Sequence, residues 1–227
     1  MSRAVSKRVE KEDWTIDSVE YLYLEGVSWE LYEHLLKVAA SRPLRLTYHR
    51  GELEIMSPLS EHENAARVIG RLIEELTMHL GVPAVGLKST TFRQKLKECG
   101  LEPDECYYIQ SQSKLRSVKR IKLPKDPPPD LAVEVDNTRA CIERLPIYAA
   151  LGVAEVWRYA GRNLECLVLK NGEYERVQFS HAFPKLKVGD LVKFLQVAEQ
   201  KIDQNAAISA FRTWLKKQSW ARAPKRG

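Results

Sequence analysis

Residues 127–136 read Pro-Pro-Pro-Asp-Leu-Ala-Val-Glu-Val-Asp, and the fold turns on this stretch. Three prolines force an extended entry, and 131–136 then reads as a β-strand. Side chains on a strand alternate between its faces. Leu131, Val133 and Val135 therefore point one way, and Ala132, Glu134 and Asp136 the other. Glu134 and Asp136 stand roughly 6.7 Å apart along the strand, close enough to converge on one ion. Two like charges on an otherwise apolar strand repel each other and cost desolvation. A divalent cation relieves both costs, and ligands that are all oxygen favour Mg²⁺ or Mn²⁺ over zinc. The bland alternative is a strand end that opens to water and carries surface acids.

Working outward, helix and strand periods interleave around this strand. A helix is expected over 29–40, capped by Ser28, with Tyr32, Leu35, Leu36 and Ala39 on one face. LRLTY, the turn His49-Arg50-Gly51 and ELEIM form a hairpin. Ser60 and Glu63 read as a capping box. They open a helix in which Ala65, Val68, Ile69, Leu72, Ile73, Leu76 and Leu80 recur at helical spacing, ending at Gly81. Strands are expected at roughly 84–93, 105–110 and 116–123. A helix over about 139–151 follows the key strand, with Pro146 kinking it unless it begins later. AEVWRY, LECLVLK and YERVQF read as strands, the last two joined through Asn171-Gly172, and 189–217 as helical. The expected architecture is an α/β fold, a central mixed sheet flanked by helices. Its expected divisions are a polar segment over 1–24, the sheet domain over 25–188, and helices with a basic tail over 189–227.

Composition narrows the classes. With 227 residues, 44% hydrophobic and 29% charged, the chain is that of a globular protein. No run approaches the roughly 18 apolar residues of a membrane helix, and the N-terminus lacks the apolar stretch of a signal peptide; a cytoplasmic location and no membrane partner are expected. Cys99, Cys106, Cys141 and Cys166 show no zinc spacing and read as reduced, mostly buried thiols. No Walker loop, G-x-S-x-G elbow or metalloprotease histidine pair is present. The net charge of +6 comes from 204–227, which holds six basic residues and no acid, among them Arg212 and Lys216. Such a tail holds phosphates or simply aids solubility.

A metal site needs a further acid. Asp130 lies on Glu134's own strand about 13 Å away, too far to share an ion. Asp104, after Pro103 at the start of strand 105–110, can sit on a neighbouring strand about 4.8 Å away. That adjacency is the assumption on which Asp104 becomes the partner of Glu134.

Pro103-Asp104, then 29 residues, then Glu134-Val135-Asp136 looks like a PD-(D/E)xK nuclease core. More closely, GELEIMSPLSEHE (51–63), STTF (89–92), GLEPDECYYI (100–109), PPPDLAVEVD (127–136) and RLPIYAALGVAEVWRY (144–159) resemble the Uma family of restriction endonucleases, over roughly 25–185. The resemblance implies a restriction-endonuclease-like α/β core, Mg²⁺-dependent DNA cleavage and, quite often, homodimers. It maps Asp104 onto the metal-binding Asp and Glu134 onto the second acid. The sequence departs from the superfamily at the lysine: the usual position, two after Glu134, is Asp136. The family tends to carry its lysine on the following helix, where Arg144 stands. Arginine stays protonated and cannot be a general base, but it can hold the scissile phosphate or stabilise charge growing in the transition state.

Two further residues join the candidates. Glu54, on the hairpin with Glu52 and Met56, is either a third acid near the metal or a solvent-facing carboxylate. His62, in the first turn of the 60–80 helix, either orients water or phosphate or completes a cap. Glu74 and Glu75 read as a solvated helix face. Lys114, Arg116, Lys119, Arg120, Lys122 and Lys125 read as a basic ribbon for nucleic acid or as an edge strand guarded by its charges. Three functions follow: an endodeoxyribonuclease using Asp104, Glu134, Asp136 and Arg144; a nucleic-acid-binding module without catalysis; and a non-enzymatic assembly subunit.

Overall fold

The computed structural model describes residues 21–57, 60–88, 90–136 and 140–221, without the side chains of 60–62. The polar N-terminal segment up to residue 20, and Arg222, Lys225 and Arg226 of the tail, lie outside the described residues. So does the His62 side chain, and with it the Ser60–Glu63 capping box.

Chain order begins β1 (Tyr21–Leu24), α1 (Trp29–Ala39), β2 (Arg45–His49), β3 (Glu52–Met56) and α2 (Ser60–Leu80). Four short strands follow: β4 (Val85–Leu87), β5 (Phe92–Gln94), β6 (Cys99–Leu101) and β7 (Glu105–Tyr108). The key strand is β8 (Leu131–Val135), then α3 (Leu145–Leu151), β9 (Glu155–Ala160), β10 (Asn163–Lys170), β11 (Glu173–Val177), α4 (Val192–Lys201) and α5 (Gln204–Lys217). They build two sheets, ordered β1-β3-β2-β6-β5 and β11-β10-β9-β8-β7-β4. In the second, β8 and β9 are parallel and the other pairs antiparallel, so the sheet is mixed.

Three apolar layers hold the sheets and helices together. On one face of β8, Leu131, Val133 and Val135 pack with Val68, Ile69, Leu72, Ile73 and Leu76 of α2. Phe194, Phe211 and Leu215 from α4 and α5 join the same layer. Each such side chain, fully buried, contributes roughly 1.5–3 kcal/mol. On the other face, Ala132 meets Ile147, Tyr148 and Leu151 of α3 together with Phe92 and Leu101 of the smaller sheet. The far side of that sheet is covered by α1, whose Trp29 and Tyr32 pack on Tyr48 and Leu53. Tyr32 stacks on Tyr48 with ring centres 4.7 Å apart.

Most expected elements are present, and the departures have local causes. Ser28 caps α1, its hydroxyl accepting from the Leu31 N–H at 3.2 Å. The hairpin β2–β3 turns through Arg50 and Gly51, and β10–β11 through Asn171 and Gly172, all at positive φ. The stretch expected as one strand over 84–93 is two strands in different sheets. The helix after β8 starts at Leu145, with Pro146 in its first turn, where its missing N–H costs nothing. The strand expected over 116–123 is absent: a 3-10 turn at Gln112–Leu115 leads into an irregular segment. Charge alternation there mimicked a strand, but no neighbouring strand pairs with it. Strands β1 and β6 carry too little apolar alternation to have been expected.

Candidate active site

The two sheets meet along a seam, and the candidate residues gather there. The chain passes from one sheet to the other between β6 and β7, across Glu102, Pro103 and Asp104. β7 pairs antiparallel with β8 in the register Glu105↔Val133. One step further along brings Asp104 level with Glu134, so the adjacency assumed from sequence is present. β8's alternation turns Glu134 toward α3 and the smaller sheet. From that sheet, β2 and β3 send Arg45, Glu54 and Met56 to the seam; Arg45 pairs across with Met56, and Thr47 with Glu54.

Each carboxylate is engaged. Asp104 is buried; one oxygen accepts from the Arg45 guanidinium and the other from the Val135 N–H at 2.7 Å. Glu134 accepts from Arg144 at 2.5 Å on one oxygen and from the Tyr148 hydroxyl at 2.7 Å on the other. Glu54 is fully enclosed. One of its oxygens accepts the N–H groups of Cys141 and Ile142, at 2.6 and 3.3 Å. The other, Oε1, has no hydrogen-bond partner among the described residues and lies 3.8 Å from Arg144 Nη2. Arg144, just before α3, thus stands between two buried acids, with its Nε unpartnered and Met56 Sδ 3.7 Å from Nη2.

Desolvation governs the electrostatics. Burial pushes the Glu134 carboxyl up to about 7, against the pull of the Arg144 guanidinium. The Tyr148 hydroxyl is raised well above its ordinary value, first by burial and then by the Glu134 charge. It therefore donates to Glu134 as a neutral phenol. Arg144 stays charged: burial opposes its charge, but the Glu134 carboxylate outweighs that. A buried ion pair of this kind contributes little net stability, yet removing one partner leaves a bare charge behind.

A pocket of about 270 Å³ opens over these groups, lined by Arg45, Asp104, Glu134, Asp136, Arg144 and Arg158 among others. Asp136 is exposed at its rim, and its backbone N–H donates to Tyr159. Asp104, Glu134 and Arg144, chosen from sequence, are thus brought together, with Asp136 at the edge. Glu54 also reaches the group and is not solvent-facing, because the second sheet covers its strand. Asp130 is elsewhere, its carboxylate accepting from Ile109 N–H, Ser111 N–H and the Ser111 hydroxyl. Sequence reasoning missed Arg45, Tyr148 and Arg158. The one signal for Tyr148 was its i+4 spacing from Arg144, which places both on one face at the start of α3.

The acids that converge here are carboxylates, and such hard oxygen donors suit Mg²⁺ or Mn²⁺. Glu54 Oε1, without a hydrogen bond among the described residues, adds a further carboxylate oxygen beside them. Among the described residues, no three acidic, His or Cys side chains already stand as a coordination shell; the guanidiniums of Arg45 and Arg144 hold the positions between the acids.

An α/β domain with a carboxylate cluster on adjacent strands at the seam of its sheets belongs to the restriction-endonuclease-like class. Residues 29–199 match the Uma2 family, described as "Putative restriction endonuclease", and the chain belongs to that family. The match runs through the site and into α4. No curated protein matches the chain. No described helix is long and apolar enough to cross a membrane.

Proposed function

We propose that the chain is an endonuclease that hydrolyses DNA phosphodiester bonds with the help of a bound Mg²⁺ or Mn²⁺, acting in the cytoplasm. The observation that carries this reading is the convergence of Asp104 and Glu134 from two adjacent strands on one pocket that also holds Arg144. Family membership supports the reaction class.

In this reading Asp104 and Glu134 hold the ion, and Asp136 at the rim assists. When bound, the ion supplies Lewis acidity and lowers the pKa of water at neutral pH. Arg144 gives up its bond to Glu134 and turns its fixed charge to the phosphate, stabilising the charge that grows there. Tyr148 keeps the Glu134 carboxylate in place by its hydrogen bond. Glu54 fixes the 141–142 backbone and so positions Arg144 just beyond it. Since arginine does not release its proton, no side chain here acts as the lysine base of related nucleases.

The test is cleavage of supercoiled plasmid with Mg²⁺ or Mn²⁺ by the parent, Asp104→Asn and Glu134→Gln proteins. Nicking that is lost with chelator and in both variants supports the reading. DNA binding without cutting under every metal and pH condition would replace it with a binding module. That second reading is favoured by the tight hold of Arg144 on Glu134.

A further inference from the structure

We infer that a second, larger groove beside the site is the track for the phosphate backbone of a DNA substrate, which enters the site past Arg45. The inference rests on the endonuclease reading and assigns that site a polymeric substrate held well away from the scissile bond.

The groove encloses about 1460 Å³ between the C-terminal end of α1 with residues 42–46 on one side and the irregular 112–123 segment on the other. Lys37 and Arg42 stand on the first wall, and Arg116, Lys119, Arg120 and Lys122 on the second. All six side chains are exposed, and none forms an ion pair among the described residues. The three acids of the groove each have a basic neighbour. Glu33 pairs with Arg93 at 2.6 Å, and Glu63 and Glu102 lie 3.9 and 4.0 Å from Arg45. What the groove offers a ligand is therefore a row of unpaired cations.

The second wall is anchored. Leu115, Ile121 and Leu123 pack on the core layer beneath it, so an irregular backbone holds its cations on a fixed support. Arg45 lines both this groove and the candidate active-site pocket. The row of positive charge thus leads to Asp104 and Glu134.

Spaced, unpaired Lys and Arg side chains along a groove suit a chain of phosphates, whose binding releases counterions. A protein partner fits less well, since lysine is depleted at protein interfaces. The contacts are to backbone charge, so they fix position without reading sequence.

The experiment is fluorescence anisotropy with a fluorescein-labelled DNA duplex of about two helical turns, in chelator, over a range of salt concentrations. The proteins are the parent, a Lys119→Ala/Arg120→Ala/Lys122→Ala triple variant, and a charge-matched control, Lys185→Ala/Lys187→Ala/Lys201→Ala, on surface outside the groove. Thermal unfolding checks that all three are folded. Parent binding should weaken steeply with salt. The groove variant should bind roughly tenfold or more weakly at low salt, with a log–log salt slope shallower by up to about 3. The control should stay near the parent. Equal binding by parent and groove variant, or no salt-dependent binding by the parent, overturns the groove. Plasmid cleavage, run in parallel, separates the two ideas. A parent that binds through the groove but never cuts upholds the groove and sinks the nuclease. A groove variant that cuts and binds like the parent does the reverse. Hydrolysis of bis(p-nitrophenyl) phosphate, too small to reach the groove, should be unchanged in the groove variant.

Discussion

At the residue scale, the site is a balance between buried acids and two guanidiniums. Removing Arg144 leaves Glu134 and Glu54 without their nearest counter-charge, with only the more distant Arg45 acting on Glu134. Arg144→Ala should lower stability by roughly 3–5 kcal/mol in chemical denaturation, with Arg144→Lys losing less. Glu134→Gln keeps one acceptor oxygen for Arg144, and its amide NH2 can donate to a rotated Tyr148 hydroxyl, so it should fold. Its plasmid cleavage should drop by more than about 100-fold, beyond the loss typical of residues that only support a metal ligand. Because burial raises the Glu134 carboxyl to about 7, the folded state holds a proton that the unfolded state has released between the ordinary carboxylate range and that value. Its contribution to stability is full below the ordinary range and is lost as pH rises toward 7. Stability measured against pH should show this fall in the parent and lack it in Glu134→Gln; parallel curves would refute the shift.

The same scale shows where the sequence could be read. Glu134 and Asp104 were legible because strand alternation and inter-strand spacing are geometric rules, and both residues obey them. Arg45 and Tyr148 were not, because a single arginine in LRLTY or tyrosine in LPIYAAL fits any strand or helix. Their roles appear only when the smaller sheet and α3 close over β8. Glu54 was legible as an acid on a face but not as a buried one, since alternation says which way a side chain points and not what covers it.

At the element scale, the C-terminal helices are tied to α2 by charge as well as packing. Glu75, expected on a solvated face, is buried and grips Arg212 with two bonds of 2.7 Å. Its carboxyl is held below the ordinary range by those bonds. Its stabilisation is therefore present above that range and lost as pH falls through it. Arg212 is half exposed, so Arg212→Ala should cost only about 1–2 kcal/mol and flatten the acid limb of the stability curve. Between α4 and α5, Ile202 sits at φ +50 and is 95% exposed. A β-branched side chain there is strained. Ile202→Asn should raise the thermal midpoint, by about 0.5–1 kcal/mol in stability. The two helices were legible as one apolar-periodic stretch; the break at Ile202 was not, although the Asp203 cap of α5, which accepts from the Asn205 N–H at 2.8 Å, was a signal for it.

At the scale of the whole molecule, one apolar layer runs from α2 through β8 to α5. Phe194, Phe211 and Leu215 complete that layer, and a chain ending at residue 188 would leave its α2 side open. Such a truncation should lose cooperative thermal unfolding and near-ultraviolet dichroism. A sharp, parent-like transition would show that the sheet domain stands without α4 and α5. The mixed sheet and its flanking helices were legible from the alternation of periods. The division into two sheets was not, since β4 and β5 fall in one stretch, 84–93, that reads as a single strand yet separates in space.

Asp104 serves two masters: one oxygen faces Arg45, and the other receives the Val135 N–H at the end of β8. That double duty bears on descent. A lineage that had stopped cutting could exchange the Glu134–Arg144–Tyr148 group for apolar residues, and Glu54 for glutamine, with little loss of stability. It would still be held to Asp104 or a close substitute, because an unsatisfied N–H inside the protein is costly. Among related sequences, persistence of the aspartate therefore marks ancestry, and persistence of the glutamate marks use.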